Sequence, residues 1–524
     1  VNEINAYNHM AIYLRWCMEH DLMSVEFMER YWEQVQPFMA DLSRADLRGF
    51  IRDQLNGQLF GALFNKEGAA FAGYYYGEAD SPYFPSDIDN YALAYFGSEQ
   101  YYSDKFQEEA YLFIPFDEEY YQAMAKVIEK RFANWQGQDF DEATLEPSDL
   151  AKAMMEYLTQ VGGNVGRGAY PSACDAAEAV LEVRERLCTL LGGPAPQNVI
   201  LTPGCTYSLN FVLKGLLRPG DRAVTSAMEH NAVLRPLNQL EAAGVRVDRL
   251  PCNGQGELLL EQAEEMLTQD TRCVILTHAS NVSGTLFPIG EIGAMCRARG
   301  IFFLVDAAQT LGCVPVDMAA MGIDGLAFPG HKGLLGPQGI GGVVVTDALA
   351  AELEPLLSGG TGSLSHTERV PDFMPDRFEP GTLNLPGIVG LHAGLLWLRE
   401  TGIDAVRAHE LQLTERFLAG VRVLREKTGG VCVSGREDLC GRTGVVSLRT
   451  PGRDPAQVAY ALAEDYGVLT RVGLHCAPSA HRTLGTYPTG TIRFSFGWWN
   501  TADEVDAALR ALERLLEGRG GHGA

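Results

Sequence analysis

One lysine lies in a glycine-rich stretch of the sequence. Residues 328–342 read FPGHKGLLGPQGIGG, with Lys332 directly after His331 and an apolar run, GVVVT, at the end of the stretch. A P-loop needs Ser or Thr after its lysine, and Gly333 stands there instead. A dinucleotide fingerprint also fails, because the glycines follow the lysine and open no evident helix. The remaining chemistry is a Schiff base with an aldehyde cofactor, pyridoxal phosphate (PLP). On its own, the stretch is better explained as a turn with an incidental lysine.

Three other segments carry groups that such a cofactor needs. Its pyridine nitrogen needs an acid, and Asp306 ends the apolar run IFFLVD, where open α/β sheets place functional groups. Its phosphate needs amides at a helix N-terminus, and LTPGCTYSLN predicts a strand, a glycine turn and a helix opening around Thr206. His230, in SAMEHNAVL, begins another helix after a strand, where its ring can stack on a flat cofactor. Asp and His at these positions are also common helix caps, and that alternative stays open.

The elements that carry these residues alternate between short apolar runs and helical segments. The predicted strands are NVILT, AVTSA, VRVDRLP, CVILTH, IFFLVDAA, GLAFPG and GVVVT, with helices from Thr206, over 231–243 and over 289–299. This alternation is typical of βαβ units and a largely parallel sheet covered on both faces. After about residue 400 the order becomes helix, strand, strand, helix, which predicts a smaller α+β domain.

The first quarter of the chain has a different composition. It holds 14 of the 20 tyrosines and about half of the net negative charge. The segment DEEYYQAMAKVIEKRFANW predicts an amphipathic helix that closes this region. We therefore predict an accessory domain over 1–135, α+β or mostly helical, then a large α/β domain over 136–400 and a small domain over 401–524. The acidic, tyrosine-rich character indicates either a docking or regulatory surface, or a structural part of a subunit interface.

Composition excludes several classes of function. A net charge of −25 and a pI near 4.9 disfavour nucleic acid and anionic membranes as partners. Eleven cysteines, an odd number without a CxxC pair, predict neither a disulfide framework nor a metal site. The sequence contains no apolar run long enough to span a membrane and no leader pattern at its start. We therefore expect a cytoplasmic protein.

Taken in order, the motifs resemble the class V aminotransferase family of PLP enzymes, in particular its cysteine desulfurase and selenocysteine lyase branch. The resemblance covers roughly residues 138–518. It is carried by VGGNVGRG, TPGCTYSLN, MEHNAVLRPL, THASNVSG, VDAAQTLG, GHKGLLGPQG, GGTGS, RFEPGTLNLPGIVGL, GLHCAP and GTIRFSFGWWNTADEVD. It implies an aspartate-aminotransferase-like fold, with a mainly parallel seven-stranded sheet in the large domain and a small C-terminal α+β domain, preceded here by the extra N-terminal domain.

The resemblance also implies a role for each matching residue around the cofactor. Lys332 would form the Schiff base, Asp306 would pair with the pyridine nitrogen, and Gln309 would lie near the phenolic oxygen. His230 would stack on the ring and act in catalysis. The phosphate would be held by Cys205, Thr206 and His331, and by Thr382 from a neighbouring subunit, which implies a homodimer with shared sites.

The remaining matches concern the substrate. Arg493 would bind the substrate carboxylate, with Arg471 nearby, and Asn281 would contact the cofactor or that carboxylate. Cys476 would accept the sulfur, and Arg471 and His475 would make its surroundings electropositive, as a reactive thiolate requires.

Three positions depart from the family pattern. Pro329 stands where Ser or Thr is usual, so one hydroxyl donor to the phosphate is lost. The opening DNAAT stretch of the family is reduced to FDEAT, which puts the contribution of its Asn in doubt. Leu474 replaces a residue that is often His, which bears on proton handling near the sulfur.

The resemblance implies that L-cysteine is converted to L-alanine while its sulfur passes to Cys476 as a persulfide, and then to a sulfur-acceptor protein. Selenocysteine lyase is the nearest alternative. An aminotransferase or β-lyase for another amino acid is a further one, with Cys476 incidental. A PLP-fold scaffold without activity is disfavoured by the intact set of Lys332, Asp306 and Arg493.

Overall fold

The computed structural model describes residues 3–39, 46–76, 83–96, 101, 110–136, 147–163, 165 and 171–517. They form two compact units, divided between Thr144 and Leu145. The predicted boundary after residue 135 falls nine residues earlier. None of the described helices is long and apolar enough to cross a membrane.

The first unit is helical. Its helices are α1 (Asn8–Glu19), α2 (Val25–Met39), α3 (Leu47–Gln54), α4 (Lys66–Tyr76), α5 (Tyr83–Phe96) and α6 (Glu118–Gln136), with 3₁₀ turns at Glu3–Tyr7, Gly61–Leu63 and Ala110–Phe113. The helix predicted to close this region is confirmed as α6. Aromatic residues build the core: Tyr13, Trp16 and Phe71 are almost fully buried, and the rings of Phe71 and Tyr75 stack 5.6 Å apart. Much of the tyrosine content of this unit therefore serves packing rather than a surface.

The second unit contains a seven-stranded sheet. The strands are β1 (Val199–Thr202), β2 (Arg222–Ser226), β3 (Arg246–Leu250), β4 (Thr271–Thr277), β5 (Phe302–Asp306), β6 (Gly325–Pro329) and β7 (Gly341–Val345), in the order β1-β7-β6-β5-β4-β2-β3. Strands β3, β2, β4, β5 and β6 pair in parallel, and β7 runs antiparallel to both β6 and β1. Most central positions are fully buried, because helices cover both faces, so these strands read as continuous apolar runs.

A second, antiparallel sheet lies in the C-terminal part of this unit. It comprises β8 (Cys432–Ser434), β9 (Val445–Arg449), β10 (Arg471–Gly473) and β11 (Thr491–Ser495), in the order β10-β11-β9-β8. The predicted small α+β domain and the mainly parallel large sheet are thus confirmed.

The helices of the second unit cover these sheets. They are α7 (Pro147–Glu156), α8 (Pro171–Leu191), α9 (Cys205–Leu216), α10 (Asn231–Ala242), α11 (Leu260–Met266), α12 (Ile289–Arg299), α13 (Asp347–Glu352), α14 (Leu385–Thr401), α15 (Ile403–Thr428), α16 (Pro455–Tyr466), α17 (Pro478–Thr483) and α18 (Ala502–Leu516). A π-helical turn, Tyr157–Val161, continues α7. It ends at Gly162, whose backbone is left-handed (φ 54°), so the helix stops at the glycine pair that follows it in the sequence.

Candidate active site

The carboxyl ends of the parallel strands form one wall of a cavity of about 870 Å³. Asp306 is the last residue of β5 and lies in register with Thr277, the last residue of β4. His230 follows β2 and precedes α10, and Lys332 follows β6. All four side chains line the cavity. The sheet therefore brings together the acid, the imidazole and the lysine that lie far apart in sequence.

Asp306 is a buried carboxylate with only neutral hydrogen-bond donors around it. It is 3 % exposed. Its Oδ1 atom accepts a hydrogen bond from the backbone N–H of Ala308 (2.9 Å) and one from the thiol of Cys205 (3.4 Å). Burial, followed by the charge of Asp306, raises the pKa of Cys205 well above its usual range, so the thiol stays protonated and donates. A protonated ring nitrogen in the cavity would complete the set of partners that such a carboxylate needs.

The amine of Lys332 faces the cavity and has a lowered pKa. The side chain lines the cavity and is accessible from it, but the cavity walls limit its contact with bulk water. This desolvation lowers its pKa, and Arg493 and Arg471 lower it further, while Asp306 and Cys205 act in the opposite direction. A lowered pKa favours the free amine, which is the form that attacks an aldehyde and accepts a proton.

The start of α9 faces the same cavity. The helix begins at Cys205, and Gly204, with φ of 151°, provides no side chain to cap its first turn. Thr206 and His331 also line the cavity. Burial and the charge of Lys332 lower the pKa of His331, which favours a neutral ring that can still donate one N–H. An uncapped helix N-terminus beside a hydroxyl and an imidazole fits a phosphate group. Pro329, at the end of β6, adds no hydroxyl.

His230 caps a helix, one of the two alternatives that the sequence left open, and its ring is also open to the cavity. Its Nδ1 atom accepts a hydrogen bond from the backbone N–H of Ala232 (3.0 Å) and so caps α10. The ring also lines the cavity. Burial lowers its pKa, which favours the neutral imidazole suited to stacking. Behind it, the buried carboxyl of Glu229 accepts hydrogen bonds from Ser226 Oγ (2.5 Å) and from the backbone N–H of Thr277 (3.0 Å), which fixes the ends of β2 and β4.

Two arginines face each other on the small sheet. Arg493 on β11 is paired in register with Arg471 on β10, and both line the cavity. Within the described part of the chain neither has a carboxylate partner, and the buried Nε of Arg493 has no acceptor. Burial, then Arg471, lowers the pKa of Arg493. An unpaired guanidinium with a free donor fits the carboxylate of a substrate.

Asn281 joins the large-domain wall to these arginines. Its side-chain amide donates a hydrogen bond to the backbone carbonyl of His475 (2.7 Å), and its backbone carbonyl accepts one from Arg493 Nη1 (3.0 Å). The backbone carbonyl of Cys476 in turn accepts from the N–H of Asn231, beside His230 (2.8 Å). The Cys476 loop is therefore tied to the cavity rim at two points.

Cys476 is exposed, and its sulfur accepts a hydrogen bond from Arg471 Nη2 (3.4 Å). The prediction that His475 makes the surroundings of Cys476 electropositive is wrong. His475 is buried, its Nε2 lies 2.9 Å from Thr491 Oγ1, and burial, followed by Arg493, lowers its pKa to about 3. The ring is therefore neutral at physiological pH, and the cation beside the sulfur is Arg471.

The remaining predicted cofactor residues, Gln309 and Thr382, differ in position. Gln309 lines the cavity as expected. Thr382 is exposed in the irregular segment before α14 and does not line the cavity of its own chain. The FDEAT stretch, residues 140–144, lies outside the described residues.

The sequence analysis missed part of the cavity wall. Glu410, Trp397, Trp498 and Trp499 also line it. A signal for Glu410 existed: it stands on the apolar stripe of α15 with Val406, Leu413 and Phe417, at spacings of four, three and four residues. An acidic residue at a core position of an amphipathic helix is uncommon and points to a site.

This sheet, with its lysine after β6 and its small antiparallel domain, defines an aspartate-aminotransferase-like enzyme fold. The chain belongs to the class-V aminotransferase family, whose model matches residues 139–508. A domain of unknown function matches residues 1–112.

Several similar proteins are cysteine desulfurases by name. A probable cysteine desulfurase of Methanothermobacter thermautotrophicus is 34% identical over 381 residues, covering 72% of this chain and 94% of the relative. Cysteine desulfurase CsdA of Escherichia coli is 30% identical and covers 72% and 93%. Among solved structures, the apo cysteine desulfurase of Thermococcus onnurineus NA1 superposes with a TM-score of 0.66 at 31% identity, covering 72% of this chain and 93% of that one.

Proposed function

We propose that this chain is a PLP-dependent cysteine desulfurase that converts L-cysteine to L-alanine and carries the sulfur on Cys476. The observation that carries the proposal is the exposed thiol of Cys476 beside Arg471, on a loop tied to a cavity that holds Lys332 and Asp306. An aminotransferase would have no use for such a thiol, whereas persulfide transfer requires one.

Each side chain has a definite task in this reaction. Arg493 would bind the substrate carboxylate, and Lys332 would take the proton from Cα. Asp306 would hold a proton on the pyridine nitrogen, and His230 would keep the ring in place. PLP, when bound, supplies an electron sink for the charge that develops at Cα.

Sulfur transfer would then use Cys476. Its thiolate, stabilised by Arg471, would attack the sulfur of bound cysteine, so that an S–S bond forms as the C–S bond breaks. The electron pair of that bond stays with the carbon fragment, which takes up protons and leaves as alanine. The exposed persulfide would be handed to an acceptor protein. Since all eleven cysteines are free thiols, we also propose a reducing compartment such as the cytoplasm.

The direct test is incubation of the PLP-loaded protein with L-cysteine and a thiol reductant. We expect equal amounts of sulfide and alanine. Formation of a keto acid with no sulfide would instead identify an aminotransferase and overturn the proposal.

We further propose that the active unit is a homodimer with shared sites, because Thr382 does not line the cavity of its own chain. Thr382→Val should weaken PLP binding, since a hydroxyl donor is lost. In mixed dimers of Lys332→Ala and Thr382→Val subunits, one site has both residues intact. Purified heterodimers should therefore recover about half of the wild-type rate per dimer. Heterodimers that reach only half of the rate of the Thr382→Val parent would show that Thr382 serves its own site and not the neighbouring one.

A further inference from the structure

The cavity wall also includes residues that the proposed reaction does not use. They are Trp397, Val406, Glu410, Gly444, Trp498 and Trp499. None of these side chains has a task in cofactor binding or sulfur transfer as derived above. A volume of about 870 Å³ lies in the upper part of the range usual for small-molecule sites.

Glu410 presents an unpartnered carboxyl group to this space. Within the described residues it forms no side-chain hydrogen bond and no ion pair, and Arg407, one turn earlier on α15, is not in salt-bridge contact with it. Burial raises the pKa of Glu410 to about 7, against the opposing charge of Arg407. A partly desolvated carboxylate without a partner is unfavourable, and a cation in the cavity would stabilise it.

Three tryptophans line the same cavity. Trp397 stacks on Trp499 with 5.7 Å between ring centroids, and meets Trp498 edge to face at 5.3 Å. His409 packs against Trp498 at 5.2 Å, which further fixes that indole. Indole faces carry negative potential and attract cations, most strongly quaternary and other organic ammonium groups.

The wall of the cavity offers groups of two kinds. Lys332, Arg471 and Arg493 suit the anionic groups of cofactor and substrate. The carboxyl group of Glu410 and the π faces of the tryptophans suit a cation.

We propose that Glu410, Trp498 and Trp499 form an ammonium subsite that binds the organic ammonium group of a second small molecule beside the amino-acid substrate. This subsite lies in the same cavity but is distinct from the groups that hold the substrate carboxylate. Its existence does not depend on the reaction proposed above, because it follows from the wall of the cavity alone.

Choline is a suitable probe, and 3,3-dimethyl-1-butanol is its uncharged analogue of the same shape. Binding to the PLP-loaded protein would be measured by calorimetry and by tryptophan fluorescence, to which the cavity contributes three of the six tryptophans. We expect choline to bind and the neutral analogue not to bind. Glu410→Gln should weaken choline binding by about tenfold or more, which is the loss expected when a charged partner is removed.

Two further variants separate binding from folding. Glu415→Gln, at an exposed position of the same helix, should leave choline affinity unchanged. Trp499→Leu, at a half-exposed indole, should weaken binding while the visible cofactor spectrum stays that of the wild type. The proposal is overturned if Glu410→Gln binds choline as tightly as the wild type, if the neutral analogue binds equally well, or if saturating L-alanine displaces choline.

Discussion

Replacing Lys332 with Ala should lower cysteine consumption by about 10³-fold or more, because the variant loses both the attachment point of the cofactor and the base for the Cα proton. The structure places this amine in the same cavity as Asp306, with a pKa lowered by desolvation. Borohydride reduction of the wild type followed by peptide mapping should find the cofactor fixed to Lys332. Visible absorbance of the variant should no longer respond to borohydride.

The matched control is Lys214→Ala, on α9 of the same unit but away from the cavity wall. Its activity and spectrum should equal those of the wild type. If peptide mapping labels another lysine, or if Lys332→Ala keeps more than a tenth of the wild-type rate, the assignment of the base is wrong.

The sequence predicted the sheet and most of the cavity wall for a physical reason. Strands buried on both faces read as apolar runs, and the residue that ends such a run is placed at the sheet edge. Asp306 and His230 could therefore be assigned to that edge before the structure was known. The antiparallel direction of β7 and the strand order could not be predicted from periodicity, because the residue pattern of a single strand depends on neither.

The surroundings of Cys476 show where sequence adjacency misleads. His475 and Cys476 both adopt left-handed backbone conformations, with φ of 49° and 58°. The histidine ring is buried against Thr491 while the thiol is exposed. Neighbours in sequence thus face different environments, and the partner of the sulfur is Arg471, supplied by the preceding strand β10.

The positions of Glu410 and Thr382 were difficult to predict from the sequence for other reasons. Glu410 reaches the cavity only because α15 packs most of its apolar stripe against the small sheet and α18, a tertiary arrangement that spacing does not define. Thr382 is exposed and does not line the cavity of its own chain, so its predicted contact with a neighbouring subunit's phosphate stays a prediction. That prediction comes only from the resemblance, not from the residues around Thr382.

Cys476→Ala should reduce sulfide release from cysteine by about 100-fold or more while leaving cofactor binding intact, because the cofactor groups, Lys332 and Asp306, are untouched. Brief exposure of the wild type to cysteine should add the mass of one sulfur to the peptide containing Cys476, and the variant should show no such gain. Cys440→Ala, an exposed thiol of the small domain, is the control and should behave as the wild type.

Selenocysteine distinguishes thiolate attack from simple elimination. Its C–Se bond is weaker and selenium leaves more readily, so turnover of selenocysteine should fall much less than that of cysteine in Cys476→Ala. Equal losses with both substrates would mean that the variant disturbs the cavity itself. Wild-type sulfide release from the variant, with sulfur found on a different cysteine, would assign the persulfide to that cysteine. Wild-type release with no sulfur on the protein would favour a lyase acting without a persulfide. The hydrogen bond from Arg471 to the exposed sulfur leads us to expect the selective loss.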